Sequence, residues 1–158
     1  LVEELEKKGY RNYEFSSFAK PGHNAINNSN YWNGKSYIGI GPSAHSYDGK
    51  FTRSWNISNN IKYVKTIMDN KLPLKKERLN KNDLYNEFIM TGLRKQEGVS
   101  LKKVSTLFGI RYKEYLKKQL NKHIINNNIV FNGDILKISK KAKFLSDGLS
   151  SDLFFVDD

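Results

Sequence analysis

Tyr37-Ile38-Gly39-Ile40-Gly41-Pro42-Ser43-Ala44-His45-Ser46-Tyr47 is the stretch on which the fold turns. Tyr37, Ile38 and Ile40 read as a short buried strand, interrupted by Gly39 and Gly41, where a missing side chain marks a bend or a close backbone approach. Tyr47-Asp48-Gly49-Lys50-Phe51 reads as a hairpin turn, and Phe51 to Trp55 as the return strand. Upstream, Val2 and Leu5 sit among charged residues as the end of an amphipathic helix, and Gly9 stops it. Tyr13, Phe15 and Phe18 read as a strand that breaks at Lys20-Pro21-Gly22, and His23 to Asn30 as an Asn-rich loop.

Downstream the periodicity turns helical. Asn56 or Ser58 caps a helix whose apolar face is Ile61, Val64, Ile67 and Met68. Lys71 to Leu79, with Pro73, reads as a basic connector. Asn80 or Asn82 then opens a helix with Leu84, Phe88 and Leu93 on one face. A short helix opened by Ser100 or Val99 follows, carrying Val104, Leu107 and Phe108, and Gly109 ends it. Tyr112 to Asn126 is a longer helix facing inward through Tyr115, Leu116, Leu120 and Ile124. Ile129–Phe131, Asn132-Gly133-Asp134 and Ile135–Ile138 form a hairpin around a strong turn signal. Ser139 caps a last helix carrying Ala142, Leu145 and Leu149. Helix, short helix, helix, two-stranded wing and helix is the order of a winged helix-turn-helix.

Composition narrows the function classes. With 38% hydrophobic and 27% charged residues over 158 positions, the chain fits a soluble globular protein of one domain or two small packed units. No apolar run approaches the roughly 18 residues of a membrane span, and no signal peptide is visible. The cytoplasm is the expected compartment. There is no cysteine, so no disulfide, zinc-thiolate or iron–sulfur site is built from these residues. The net charge of +11 raises nucleic acid, anionic membrane or an anionic ligand as partners. It also fits a drift toward Lys, Asn and Ile spread over a solvated surface. The chain begins with Leu, which reads as a truncation.

Three segments carry a family resemblance: Tyr13-Glu14-Phe15-Ser16-Ser17-Phe18-Ala19-Lys20-Pro21-Gly22, Tyr31-Trp32 with the Tyr37–Tyr47 stretch, and Gly92-Leu93-Arg94-Lys95-Gln96-Glu97-Gly98-Val99-Ser100. In order and spacing they resemble the C-terminal portion of the radical S-adenosylmethionine proteins grouped as oxygen-independent coproporphyrinogen III oxidases and HemW heme chaperones. The resemblance implies an α+β fold. Residues 1–57 would be the last helix and strand of a partial (β/α) radical SAM barrel with its β extension. Residues 58–158 would be a winged-helix-like C-terminal domain. It implies S-adenosylmethionine and a [4Fe–4S] cluster in a full-length protein, with the cluster cysteines outside this chain. No catalytic residue and no metal ligand is expected here, and the chain alone is expected to perform no radical chemistry.

The resemblance also implies site residues. Glu14, Gly39, Gly41 and His45 are the cofactor-binding candidates, and His23, Tyr31, Trp32 and Arg53 the heme or porphyrin candidates. Glu14 would hold a cofactor amino group, or pair with a cation at the barrel rim. His45 would line a pocket, or simply close a barrel-end turn. Tyr31 and Trp32 would stack on a porphyrin, or pack the loop. Arg53 would meet propionates, or stand exposed on its strand. The HemW branch carries an HNxxYW motif tied to heme, matched here by Asn27-Asn28-Ser29-Asn30-Tyr31-Trp32. Asn27 stands where the family has His, and an amide is a poor axial ligand; His23 is the substitute within reach of the same segment. His123 reads as a surface residue at a helix end, and Arg94 as a brace between domains. Expected partners are heme or coproporphyrinogen, with a heme-acceptor protein or an anionic membrane surface as further candidates. A nucleic-acid-binding winged-helix module is the competing reading. The helix from Tyr112 to Asn126 is poor in the arginines that read guanine edges, which counts against it.

Overall fold

The structure, a computed structural model, describes residues 1–156. The chain gathers into two compact units, Leu1–Ser29 with Lys81–Asp158, and Asn30–Asn80. The expected division near residue 57 follows family resemblance, whereas the compact units part at 29/30 and 80/81.

The first unit begins with α1 (Val2–Lys7), closed at Gly9, which takes φ +79°. Tyr13 to Phe18, expected as one strand, instead bends between β1 (Arg11–Asn12) and β2 (Phe18–Ala19), which pair antiparallel. The Asn12 amide ties the bend, donating to the carbonyls of Glu14 (2.6 Å) and Ser17 (3.1 Å). The expected His23–Asn30 loop is helical from its middle onward, as α2 (Ile26–Trp32). Its opening is fixed from outside: the Asn28 amide donates to the Tyr13 hydroxyl (3.1 Å) and to Ser17 Oγ (3.3 Å). Asparagine is a weak helix former, so composition alone conceals this helix.

In the second unit, β3 (His45–Tyr47), β4 (Thr52–Asn56) and β5 (Leu74–Arg78) form an antiparallel sheet in that order. Two expectations fail here. The Tyr37–Ile40 segment is neither buried nor a strand: Ile38 is 86% exposed and Ile40 88%, and only Tyr37 bridges to Tyr47. The Lys71–Leu79 connector contains β5, paired with β4 along its whole length. Charged side chains hide it, since a strand at a sheet edge needs no apolar alternation. The β3–β4 turn is held by Asp48, whose carboxylate accepts from the backbone N–H groups of Lys50, Phe51 and Thr52. Those bonds draw its pKa down to about 2. The helix α3 (Asn60–Met68) is capped by Asn59, not by Asn56 or Ser58; the Asn59 side chain accepts from Lys62 N at 2.9 Å. Its expected apolar face exists but stays in solvent, with Ile61 81% and Met68 77% exposed.

The first unit resumes with α4 (Lys81–Arg94), β6 (Val99–Ser100), α5 (Leu101–Phe108) and α6 (Ile110–Ile125). Ser100 caps α5 by accepting from Lys103 N, and Gly109 at φ +97° ends it. β7 (Ile129–Phe131) and β8 (Ile135–Ile138) pair antiparallel, and β6 joins the outer side of β8. Asn132 Oδ1 accepts from Asp134 N and Ile135 N, which closes the hairpin. Asp134 in turn accepts from Lys102 N and Ser100 Oγ, so its pKa is lowered. A 3₁₀ segment (Lys140–Leu145) and α7 (Ser146–Ser151) follow, and Ser139 makes no side-chain cap.

Tyr85, Ile89 and Leu93 of α4 recur four residues apart on one face. They meet Val99, Leu101, Val104, Tyr112, Leu116, Leu120, Ile129, Leu136, Leu153 and Phe155 in one core. The Tyr85 hydroxyl, buried, donates to the Leu153 carbonyl (3.2 Å), and burial pushes its pKa up. Leu107 and Leu145, carried on the expected helices, are exposed, and one further expectation changes in this unit. His123 is buried, at 5% exposure, with Nε2 3.2 Å from an Asp152 carboxylate oxygen. The α6 spacing Leu116–Leu120–His123 turns the imidazole to the same side as the core leucines.

Candidate functional site

In the second unit, two residues along a strand share a sheet face, and so do cross-strand partners. The register pairs His45 with Trp55 and Trp55 with Lys75. It also pairs Tyr47 with Arg53 and Arg53 with Glu77. One face of the sheet therefore carries two rows, His45–Trp55–Lys75 and Tyr47–Arg53–Glu77. The His45 and Trp55 rings stack, with centroids 6.1 Å apart and planes 27° from parallel.

Aromatic rings continue the second row. Tyr47 meets Tyr37 at 6.3 Å, Tyr37 meets Tyr31 at 5.3 Å, and Tyr31 meets Trp32 edge-on at 5.4 Å. The Arg53 guanidinium lies 5.9 Å from the Tyr47 ring centre, within cation–π range. A cation thus sits at one end of a run of rings that passes through the half-exposed Tyr31 to Trp32. Such a surface suits a flat, electron-rich ligand bearing acid groups.

The glycines act locally. A Cβ on Gly39 would run into the His45 carbonyl, so only glycine allows the 37–41 segment to lie against β3. Gly39 N donates to Ser46 Oγ (2.9 Å), and the Asn56 amide donates to the Gly41 carbonyl (2.8 Å). The space over Gly39 is thereby filled by the chain itself, while Gly41, at φ +105°, has open space.

The structure thus brings Tyr31, Trp32, His45 and Arg53 into one unit, with Gly39 and Gly41 beside them. Glu14 and His23 belong to the other unit. Glu14 is 3% exposed; its Oε1 accepts from Ser16 N and Ser16 Oγ (3.2 Å each), while Oε2 is buried without a hydrogen bond. Its backbone bridges to Lys95, whose own pKa burial lowers. Arg94 stacks over Phe15 at 5.7 Å and pairs with Asp147 at 2.5 Å. His23 is exposed. The sequence reading missed Tyr37, Tyr47, Trp55 and Lys75. The alternation His45-Ser46-Tyr47 and Arg53-Ser54-Trp55 carried a signal for Tyr47 and Trp55; Tyr37 and Lys75 had none. No His, Asp or Glu cluster able to hold a metal exists among the described residues, and a chain without cysteine offers no thiolate to a [4Fe–4S] cluster.

Residues 79–145 match the family model of the HemN C-terminal domain. This chain is a HemW/HemN-like C-terminal portion. It is similar to the heme chaperone HemW of Lactococcus lactis, 30% identical over 132 residues that cover 84% of this chain and 34% of that protein. HemW of Bacillus subtilis is 30% identical over 133 residues, covering 81% and 35% respectively. HemW of Buchnera aphidicola subsp. Schizaphis graminum is 33% identical over 151 residues, covering 92% and 38%. The chain thus spans little more than a third of these relatives. The solved structure of coproporphyrinogen III oxidase (HemN) from Escherichia coli, described as a radical SAM enzyme, matches 97% of this chain and 39% of its own. Its TM-score is 0.74 at 14% identity, a likeness of fold. The HemW/HemN-like fold is accordingly a mixed one of helices and small sheets.

Proposed function

We propose that this HemW/HemN-like chain contributes a tetrapyrrole-binding surface to a heme-handling protein, with heme as the ligand and coproporphyrinogen as the alternative. The observation that carries this is the run Trp32–Tyr31–Tyr37–Tyr47 ending at Arg53. Rings would stack on the macrocycle, and the guanidinium would take a propionate in a two-point contact. The names of the relatives support the same ligand class.

Within that reading, Asn27 lies in the first turn of α2 where the family places a histidine, and His23 is the substitute imidazole. Glu14 and Gly41 are assigned to the S-adenosylmethionine side of a full-length protein, His45 lines the pocket for that cofactor or for the tetrapyrrole, and Gly39 permits the backbone return beside His45. That cofactor and the [4Fe–4S] cluster would be held in a full-length protein, with the cluster on cysteines outside this chain, and would supply radical chemistry. We assign residues up to 57 to the end of a partial barrel, and the α4–α5–α6 helices with the β7–β8 wing to a winged-helix-like domain. That domain would dock an acceptor protein or an anionic surface rather than read nucleic acid. No helix among the described residues is long and apolar enough to cross a membrane; we propose a cytoplasmic site of action.

A hemin titration followed by the Soret band tests the reading, with Asn27→His and His23→Ala alongside. The expected result is a Soret shift in the parent chain that His23→Ala abolishes and Asn27→His strengthens. No shift in any of the three would overturn heme binding by these residues.

A further inference from the structure

The two rows on the sheet face are not equivalent. In the Tyr47–Arg53–Glu77 row the cation lies between an aromatic ring and a facing carboxylate, and Tyr37 and Tyr31 continue the aromatic run from Tyr47. In the His45–Trp55–Lys75 row the cation stands at the outer strand, exposed, with no acid in its row. Neighbouring strands run about 4.8 Å apart and rows on one face about 7 Å apart. Lys75 therefore begins one strand beyond the Trp55 ring, which is already stacked with His45. A flat ligand lying on that ring pair would bring its margin to the ammonium.

We infer that Lys75 reads a carboxylate at the edge of a flat aromatic acid bound over His45 and Trp55, and so selects the free acid over a neutral analogue. This rests on the tetrapyrrole reading above and adds a residue and a chemical criterion to it. Lysine suits this role because its ammonium is a point charge on a flexible stem, able to follow a mobile carboxylate without the fixed geometry an arginine demands. The next residue supplies an internal control. Lys76 pairs with Ser54, which pairs with Ser46, so it emerges on the opposite face with the same charge.

The test uses the whole chain and its Lys75→Ala and Lys76→Ala variants, each titrated with hemin and with hemin dimethyl ester. Quenching of tryptophan fluorescence gives the dissociation constants. The parent should prefer hemin to the diester. Lys75→Ala should weaken hemin binding about fivefold, the scale of one partly exposed ion pair, and leave the diester unchanged. Lys76→Ala should change neither. Equal losses in the two variants, or equal affinity of the parent for acid and ester, would overturn the role of Lys75 while leaving heme binding in place. A parent that binds neither ligand would overturn both.

Discussion

The two compact units differ in what holds them. Leu1–Ser29 with Lys81–Asp158 encloses a core in which Tyr85, Ile89, Val104, Leu116, Leu120, Leu136 and Leu153 are all but sealed from solvent. In Asn30–Asn80 the buried residues are Pro73 and Leu79, while Ile38, Ile40, Ile61, Met68 and Leu72 stand in water. The first unit has burial as its driving force. The second relies on the β3–β4–β5 ladder, the Asp48 turn and ring contacts. Three strands and one short helix with so little apolar area removed from water are marginal. The residues assigned to ligand binding lie mostly in the unit with the weaker hold on its own structure, as expected of sites that adjust to what they bind.

Four measurements would break or sharpen this contrast. The largest expected effect is Leu116→Ala, which opens a cavity in the core and should cost about 2–5 kcal/mol by denaturant titration. Ile61→Ser, at an equally apolar position of the second unit, should change stability by less than about 0.5 kcal/mol. Equal costs would mean that both units have a core. Next, hydrogen exchange should release the β3–β5 amides well before those of α4 and α6; simultaneous release would make the chain one cooperative body.

The third measurement concerns His123. Burial lowers its pKa below 6.5, Lys122 adds to the shift and Asp152 opposes it. The unfolded chain takes up the proton first, so stability is full above pH 6.5 and declines as pH falls from there toward the folded value. The urea midpoint should drop between pH 7.5 and pH 5, and His123→Gln should flatten that drop. The smallest effect belongs to Asp48. Its carboxylate titrates near 2 instead of 3.8, so its contribution is present above pH 3.8 and is lost as pH falls toward 2. Asp48→Ala should loosen the Phe51 and Thr52 amides in exchange and leave the first unit unchanged.

Legibility in the sequence followed the same divide. The α4 and α6 helices, the Gly109 stop and the hairpin around Asn132-Gly133-Asp134 were readable because burial imposes a period and turns demand particular residues. In the second unit the period misled. Ile61, Val64, Ile67 and Met68 recur as a helix face should, yet nothing among the described residues covers them fully, and Ile38 and Ile40 looked like a strand for the same reason. Helix α2 was missed because its opening is secured by Tyr13 and Ser17, more than ten residues away. Strand β5 was missed because pairing with β4, not composition, defines it. Among the candidate site residues, Tyr31, Trp32, His45 and Arg53 were legible through family resemblance. Lys75 became visible only through register.

β5 is an outer rail of an open ladder, and four of its five residues, Lys75, Lys76, Glu77 and Arg78, are charged. An uncovered rail of unpaired amides is a template for fibril growth, and charges that resist giving up their hydration are the guard against it. That guard acts through solvent and fades as salt shortens the screening distance to about 3 Å at 1 M. A chain with so thin a second unit should therefore stay monodisperse in dilute buffer, and begin to associate, edge to edge, in concentrated salt.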